Sequence, residues 1–279
     1  MSDTAPPAPP APPQAPRLAP AQRPRRFATA RTVVALMLRE MSTTYGRSPG
    51  GYAWAVLDPV GGIVVLTVVF SLVVRAPALG SNFPLFYATG FLPFMAYNGL
   101  ATKILQSIAF SRPLLAYPGV TWLDAVLARF ALNLLTDVAV FVVIMGGILT
   151  LYDTGAVLDF PAILNAFAMV AALGLGVGTL NCLLVSLFPV WGNVWNILTR
   201  PMFLISGVFF LYDAMPALAR DLLWWNPLIH VVGEMRSGFY GTYDPVYVSP
   251  LYVYVVALTC FVLGLVFLGR WHREILNNR

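Results

Sequence analysis

Residues 213–248 read DAMPALARDLLWWNPLIHVVGEMRSGFYGTYDPVYV and lie between two long apolar runs. The segment carries too many charges to cross a bilayer and too many aromatic residues for an ordinary loop. Its polar residues recur at helical spacings, and its tryptophans and tyrosines are the amphipathic rings that prefer the headgroup level of a membrane. The composition therefore predicts a segment that lies in the membrane interface or dips into it.

The composition places the whole chain in a membrane. Apolar residues make up 58% and charged residues 10% of the chain, whereas a soluble domain carries about 25% charged residues. The mean hydropathy is +0.75. Cys182 and Cys260 both fall inside apolar runs, which favours packing roles over a disulfide or a metal site. The net charge of +5 comes from basic residues at the ends of apolar runs, so no nucleic-acid partner is expected.

Six apolar runs are long enough to be transmembrane helices, at residues 54–74, 83–101, 125–151, 162–188, 194–212 and 249–269. In the first run, Asp58 and Pro59 resemble an N-cap and first-turn pair, although a kink at this proline is an equal alternative. If both termini are cytoplasmic, thirteen basic residues lie inside and only Arg75, Arg220 and Arg236 lie outside. The positive-inside rule therefore predicts an all-α, six-span protein with both termini in the cytoplasm.

The chain divides into three regions. Residues 1–26 contain nine prolines and no apolar core, so they predict a disordered Pro/Ala-rich arm rather than a signal peptide. Residues 27–50 contain an amphipathic helix with Val34, Met37, Leu38, Met41 and Tyr45 on one face, which should lie on the cytoplasmic leaflet. Residues 51–279 form the transmembrane domain, with a cytoplasmic connection at residues 102–120. Within the fourth run, Gly174, Gly176 and Gly178 predict close packing between helices.

The sequence offers little material for catalysis. Ser206 and His230 would be the members of an intramembrane serine protease, but Leu204 stands where its motif needs glycine. Histidines, cysteines and carboxylates are not spaced as metal ligands on a helix. A phosphate-binding loop needs a lysine after glycine, and the only lysine, Lys103, follows Thr102. This chain is therefore expected to have no catalytic residue, no metal and no ATP hydrolysis of its own.

Several residues are candidates for contact with a transported molecule. Arg200 lies inside a span, where a cation binds an anionic substrate or pairs with Asp137 or with carbonyls freed by Pro201. His230, Glu234 and Arg236 are either substrate contacts or an interfacial hydrogen-bond network. Aromatic residues could stack on sugar rings or anchor the protein in the interface; they are Trp191, Trp195, Tyr97, Tyr212 and Tyr240. A gradient-driven carrier would need a carboxylate at the membrane midplane, for which Asp137 is the single candidate.

The order of these parts resembles the membrane subunit of type-2 ABC exporters. The resemblance covers about residues 30–273. It is carried by Arg39 and Glu40, by YGRSPGGYAWAVLDP at residues 45–59, and by SGVFF at residues 206–210. Two longer segments resemble the capsular-polysaccharide export branch, RPLLAYPGVTWLDAVLARF at residues 112–130 and WWNPLIHVVGEMRSGFYGTYD at residues 224–244.

The resemblance implies a permease homodimer in a bacterial inner membrane, bound to two cytoplasmic ATPase subunits that carry the ATP and magnesium. It also implies a periplasmic adaptor and an outward-moving, lipid-linked acidic polysaccharide. By the same resemblance, residues 213–244 are expected to form a re-entrant helical pair at the outer mouth of the dimer. Residues expected at the ATPase are Ser111, Arg112, Pro113, Leu114, Tyr117 and Arg39. Residues expected along the substrate path are Arg200, His230, Arg236, Trp191, Trp195, Tyr97, Tyr212 and Tyr240. The alternatives are an ABC-2 permease for O-antigen, teichoic acid or a drug, and an intramembrane enzyme or gradient-driven carrier.

Overall fold

The computed structural model describes residues 28–44, 50–115 and 119–277. Within them all regular structure is helical, and 79% of the described residues lie in helices. The all-α prediction is therefore confirmed. The predicted arm at residues 1–26 and the predicted contacts of Tyr45 and Tyr117 lie outside the described residues.

Ten α-helices follow one another along the described part of the chain. They are α1 (Ala28–Thr44), α2 (Ala53–Val73), α3 (Phe83–Leu105), α4 (Ser107–Leu115), α5 (Trp122–Leu151), α6 (Phe160–Leu187), α7 (Trp191–Ile205), α8 (Ala217–Leu223), α9 (Pro227–Ser237) and α10 (Pro250–Asn277). A short 3-10 helix, Tyr212–Ala214, precedes α8. Residues 213–248 thus contain two short helices, α8 and α9, and their re-entrant placement stays a prediction.

Four helices in the described residues are both long and apolar enough to cross a bilayer: α2, α5, α6 and the Pro250–Trp271 part of α10. The helix α3 has 23 residues, but prolines, tyrosines and Asn98 make it less apolar. Because α3 packs between other helices along most of its length, it does not need a lipid-compatible surface. The chain is a membrane protein with at least these four candidate spans.

The predicted fifth span, residues 194–212, is helical only as far as Ile205. Gly207 has a φ of +79°, a left-handed conformation that ends the helix and that favours glycine. The resulting α7 has 15 residues, a rise of about 22 Å, which is less than the about 30 Å of a hydrocarbon core. The predicted helix beyond Ile205 is therefore wrong.

The first span does not begin at Asp58 and Pro59, which was one of the two alternatives for this pair. The helix α2 begins at Ala53, so Pro59 lies inside it and Asp58 is not its N-cap. Neighbouring groups re-satisfy the carbonyl freed by an internal proline in membrane helices. The N-cap interpretation of Asp58 and Pro59 is wrong.

The helix α6 is the centre of the packing. A methyl group added at Gly174 would meet the Leu100 side chain of α3 at 2.7 Å. One at Gly178 would meet Ile104 at 2.8 Å, and one at Gly176 would overlap the Ala257 carbonyl oxygen of α10. Because these glycines let three helix backbones approach closely, the close-packing prediction is confirmed. This core positions α3 beside α7, where the candidate site lies.

Candidate functional site

A groove of about 550 Å³ lies between α3 and α7. The residues that line it are Phe91, Phe94, Met95, Asn98 and Thr102 from α3, and Asn196, Thr199, Arg200 and Phe203 from α7. On each helix these positions recur every three or four residues, so they form one face. The two faces give the groove an aromatic part and a part with amide, hydroxyl and guanidinium groups.

Arg200 supplies the positive charge of the groove. Its side chain is exposed, and among the described residues no carboxylate lies within ion-pairing distance of it. Asp137, its predicted structural partner, lines a different cavity. A cation at membrane depth is costly unless water or an anion meets it. The geometry therefore favours a groove that holds water or an anionic ligand over an internal Arg200–Asp137 pair.

Phe203 forms the aromatic part of the groove together with α3. Its ring centroid lies 5.9 Å from that of Phe91 and 5.0 Å from that of Phe94. The Thr199 hydroxyl donates to the Trp195 carbonyl at 2.8 Å, within α7. Ring faces beside amides and a cation can accommodate a molecule with both apolar ring surfaces and polar groups.

The sequence analysis identified Arg200 but missed four polar residues of the groove, Asn98, Thr102, Asn196 and Thr199. Their signal was present, because each interrupts an apolar run and recurs at helical spacing with the others. The missing information was that α3 and α7 face each other, which spacing within one helix cannot show.

Three aromatic residues predicted for the substrate path lie away from this groove. Tyr97 and Trp195 are 3% and 7% exposed, respectively, and belong to the apolar core. The Trp191 indole N–H donates to the Asn181 side-chain oxygen of α6 at 2.9 Å. These contacts give each of the three a packing role.

Arg236 holds the chain after α7 in place. Its side chain is 1% exposed, and its two terminal nitrogens donate to the carbonyls of Phe210 at 2.9 Å and Val208 at 3.1 Å. The guanidinium also lies 4.2 Å from the centroid of the Phe86 ring, a cation–π arrangement. Burial lowers the pKa of Arg236 to about 10, so the group is still protonated at neutral pH.

His230 is fully buried and joins α9 to both neighbouring segments. Its Nε2 lies 2.8 Å from the Trp224 carbonyl, and its Nδ1 accepts from the Ser249 amide at 3.3 Å. The ring must therefore be neutral with its proton on Nε2. Burial lowers the pKa of His230, which favours the same neutral form.

Other residues on and beside α9 make further contacts of this kind. The Glu234 carboxylate accepts from the Asn165 amide at 2.7 Å, and the Tyr254 hydroxyl donates to the Asn165 oxygen at 2.9 Å. Tyr212 stacks on Tyr247 at 4.0 Å between ring centroids. Tyr240 is buried in the same region. The hydrogen-bond alternative stated for His230, Glu234 and Arg236 thus has direct geometric support.

A second cavity, of about 170 Å³, lies between α2, α3 and α5. Its polar lining consists of Asp58, Lys103, Asn133, Thr136 and Asp137. One oxygen of Asp137 is buried and accepts no hydrogen bond from the described residues. Asn133 and Asp137 thus line a polar space between helices.

The residues predicted to contact an ATPase lie on or beside α4. Ser111 is buried, Arg112 and Leu114 are half-buried, and Pro113 is exposed. The Arg39 guanidinium of α1 lies 5.5 Å from the centroid of the Phe110 ring of α4. The structure therefore brings α1 and α4 together on one side of the molecule.

Long apolar helices with a cation-bearing groove between them are features of a membrane transport protein. The ABC-2 type transporter family model matches residues 31–240, and the chain belongs to this family.

Curated relatives cover most of the chain. It is 30% identical over 237 residues to the polysialic acid transport protein KpsM of Escherichia coli, covering 84% of this chain and 91% of the relative. It is 26% identical over 246 residues to the capsule polysaccharide export inner-membrane protein CtrC of Neisseria meningitidis, covering 88% of this chain and 92% of that relative. The capsule polysaccharide export inner-membrane protein BexB of Haemophilus influenzae is 27% identical over 247 residues, with the same coverage of 88% and 92%.

Proposed function

We propose that this chain is the permease subunit of an ATP-driven ABC transporter that exports a lipid-linked acidic capsular polysaccharide across a bacterial inner membrane. The observation that carries the proposal is the groove between α3 and α7, with exposed Arg200 beside amide and hydroxyl groups. The names of the relatives, which are capsule polysaccharide and polysialic acid transport proteins, support the same substrate class.

The chemistry of the groove fits an acidic glycan. Sugar hydroxyls exchange hydrogen bonds with amides and hydroxyls such as those of Asn98, Asn196 and Thr199. The apolar faces of sugar rings pack against aromatic rings, here Phe94 and Phe203. A carboxylate on the glycan would offset the charge of the exposed guanidinium at position 200. None of these contacts is specific for one particular sugar. A path along which a long polymer moves needs such general contacts.

The proposed topology has six crossings and both termini in the cytoplasm, with α3 and α7 as the second and fifth. The short α7 crosses only with the help of residues 206–212, and α8 and α9 form the re-entrant pair at the outer mouth. The exposed apolar residues Val34, Leu38 and Met41 recur along one side of α1, which supports placing this helix in the inner interface. Residues 1–26, 27–50 and 51–279 are then the arm, the interface helix and the permease domain.

The proposed complex contains two copies of this chain, two cytoplasmic ATPase subunits and a periplasmic adaptor. ATP and magnesium would bind to the ATPases. The helix α4 offers exposed Pro113 beside Arg112 and Leu114, which suits a short helix that docks into a partner. The position of Arg39 against α4 makes α1 part of the same contact region.

Replacing Arg200 tests the groove. We expect Arg200→Ala to lower surface polysaccharide about tenfold or more, because the hydrogen bond of a charged group to its ligand is worth about this factor. Cells that express the variant are compared with cells that express Arg75→Ala, which removes an exposed arginine outside the groove. Chemical cross-linking should show the same dimer in both variants. Normal surface polysaccharide with Arg200→Ala would contradict the role of the groove.

Replacing Arg112 and Leu114 together tests α4. We expect the double alanine variant to recover less ATPase on co-purification while its melting temperature in detergent stays unchanged, because both side chains lie at one edge of the fold. Arg270→Ala, which removes an exposed arginine from α10, is the control. Undiminished recovery of the ATPase would count against docking at α4.

A further inference from the structure

One buried side chain, Arg129 of α5, contacts three other helices at once. Its Nε lies 3.2 Å from the Glu40 carboxylate of α1. Its Nη1 donates to the Lys103 carbonyl of α3 at 2.8 Å. The guanidinium lies 4.1 Å from the centroid of the Phe110 ring of α4. We call Glu40, Lys103, Phe110 and Arg129 the four-helix joint.

The joint is enclosed by protein. Arg129 and Glu40 are 4% and 5% exposed, respectively. Two opposite charges are removed from water here, and such a pair persists only where good geometry and further hydrogen bonds offset the desolvation. The planar guanidinium lies beside the carboxylate, donates to the Lys103 carbonyl and stacks on the Phe110 ring at the same time. A lysine at this position has no planar group with which to do so.

The contact with Lys103 joins the end of one helix to the start of the next. The helix α3 ends at Leu105 and α4 begins at Ser107, so only Gln106 separates them. The last carbonyls of a helix lack partners within the helix and attract a cation. The Arg129 guanidinium donates to the Lys103 carbonyl at the end of α3. The same guanidinium lies over the Phe110 ring, in the first turn of α4.

The joint also lies directly beside the groove. Thr102, the last residue of α3 that lines the groove, directly precedes Lys103 in the chain. The other anchor of α4 is Ile108, which packs with Cys182, Leu183 and Leu268 of α6 and α10. A displacement of α4 therefore reaches α6 and α10 through Ile108 and the groove helix α3 through the joint.

We propose that the four-helix joint transmits movement of α4 to α3 and α5, with Arg129 as the positioning residue and Glu40 as its fixed counter-ion. The proposal deepens the proposed function and rests on it, since α4 is the helix that would receive the ATPase. Without Arg129, an ATPase could still bind α4 and hydrolyse ATP, but only Gln106 would join α4 to α3, and no buried guanidinium would fix the angle between these two helices against α5.

The test measures export per ATP hydrolysed by the full complex in proteoliposomes. The complex contains this chain, its cognate ATPase and a labelled acidic polysaccharide on its lipid carrier. The variants are Arg129→Met, which removes the charge and the donors, and Arg129→Lys, which keeps the charge and N–H donors but removes the planar guanidinium. Arg31→Met, on the exposed side of α1, is the matched control.

We expect export per ATP to fall about tenfold or more in Arg129→Met, the factor that corresponds to loss of a hydrogen bond to a charged group. Arg129→Lys should assemble fully and show a smaller fall, and Arg31→Met should match the wild type. An unchanged ratio in Arg129→Met overturns the proposal. If that variant fails to assemble, the Arg129→Lys ratio decides, and a wild-type value there overturns it equally.

The same experiment separates this proposal from the proposed function. Absence of ATP-dependent export by the wild-type complex would defeat the proposed function. Normal wild-type export together with an unchanged ratio in the variants would defeat only the transmitting role of the joint.

Discussion

Arg200 and Arg236 show two ways in which this membrane protein accommodates an arginine. Arg236 is buried and donates to two backbone carbonyls of residues 206–210, so its charge stabilises a segment that no regular helix satisfies. Arg200 is exposed in a groove and makes no ion pair within the described residues. The contacts of Arg236 are those of a residue that positions the backbone. The exposure of Arg200 suits contact with water or an anion.

Replacing Arg236 should therefore destabilise the fold. We expect Arg236→Met to lower the stability by about 2–4 kcal/mol, because the Val208 and Phe210 carbonyls lose their buried donors. The measurement is the melting temperature of the purified protein in detergent. Arg220→Met is the control, since Arg220 is only half-buried. Equal melting temperatures for the two variants would show that the two hydrogen bonds do not hold residues 206–210.

The difference between these two arginines could not be predicted from the sequence. Arg200 and Arg236 each stand among aromatic and apolar residues in the sequence. The predicted topology even places Arg236 on the outside, where few basic residues are expected. Whether an arginine meets carbonyls depends on where the chain passes after α7. That path is set by Gly207 and by the close approach of the Val208 backbone to Gly90 of α3. Propensity within one segment contains no such information.

At the scale of helices, the length of the apolar runs and the spacing of small residues predicted more of the structure than they did for single arginines. The bounds of α2 and α6 and the close approach at Gly174, Gly176 and Gly178 follow from apolar length and glycine spacing. The early end of α7 was not predicted, because residues 206–210 are apolar enough to continue a span. The helix ends because Gly207 has a positive φ, and hydropathy contains no information on a backbone angle.

Two glycine substitutions should have opposite effects on the packing. Gly176→Ala places a methyl group against the Ala257 carbonyl of α10 and should destabilise the protein by about 1–3 kcal/mol. Gly146→Ala lies in α5 with open space around the added methyl group. It should stabilise the protein by up to about 1 kcal/mol, because alanine favours helix. Thermal unfolding in one detergent compares them, and a melting temperature for Gly176→Ala at or above wild type would contradict the close contact.

At the scale of the molecule, one copy leaves two helices, α2 and α7, largely exposed. Only 11% of the apolar window of α2 is buried, and Trp195 is the one buried residue of α7. The apolar exposed surface of α2 suits lipid, but the groove wall on α7 is polar and needs another cover. A second copy of the chain that faces the groove would enclose it, which supports the proposed homodimer.

The central claim is that this chain exports an acidic polysaccharide only when an ATPase works on it. The most direct measurement is movement of a labelled, lipid-linked acidic polysaccharide across proteoliposomes that contain the chain with its ATPase. We expect transport with ATP, and none when the ATPase is omitted or when ATP is replaced by a non-hydrolysable analogue. Transport by the chain alone, or ATP-driven transport of a different class of molecule with none of polysaccharide, would contradict the claim.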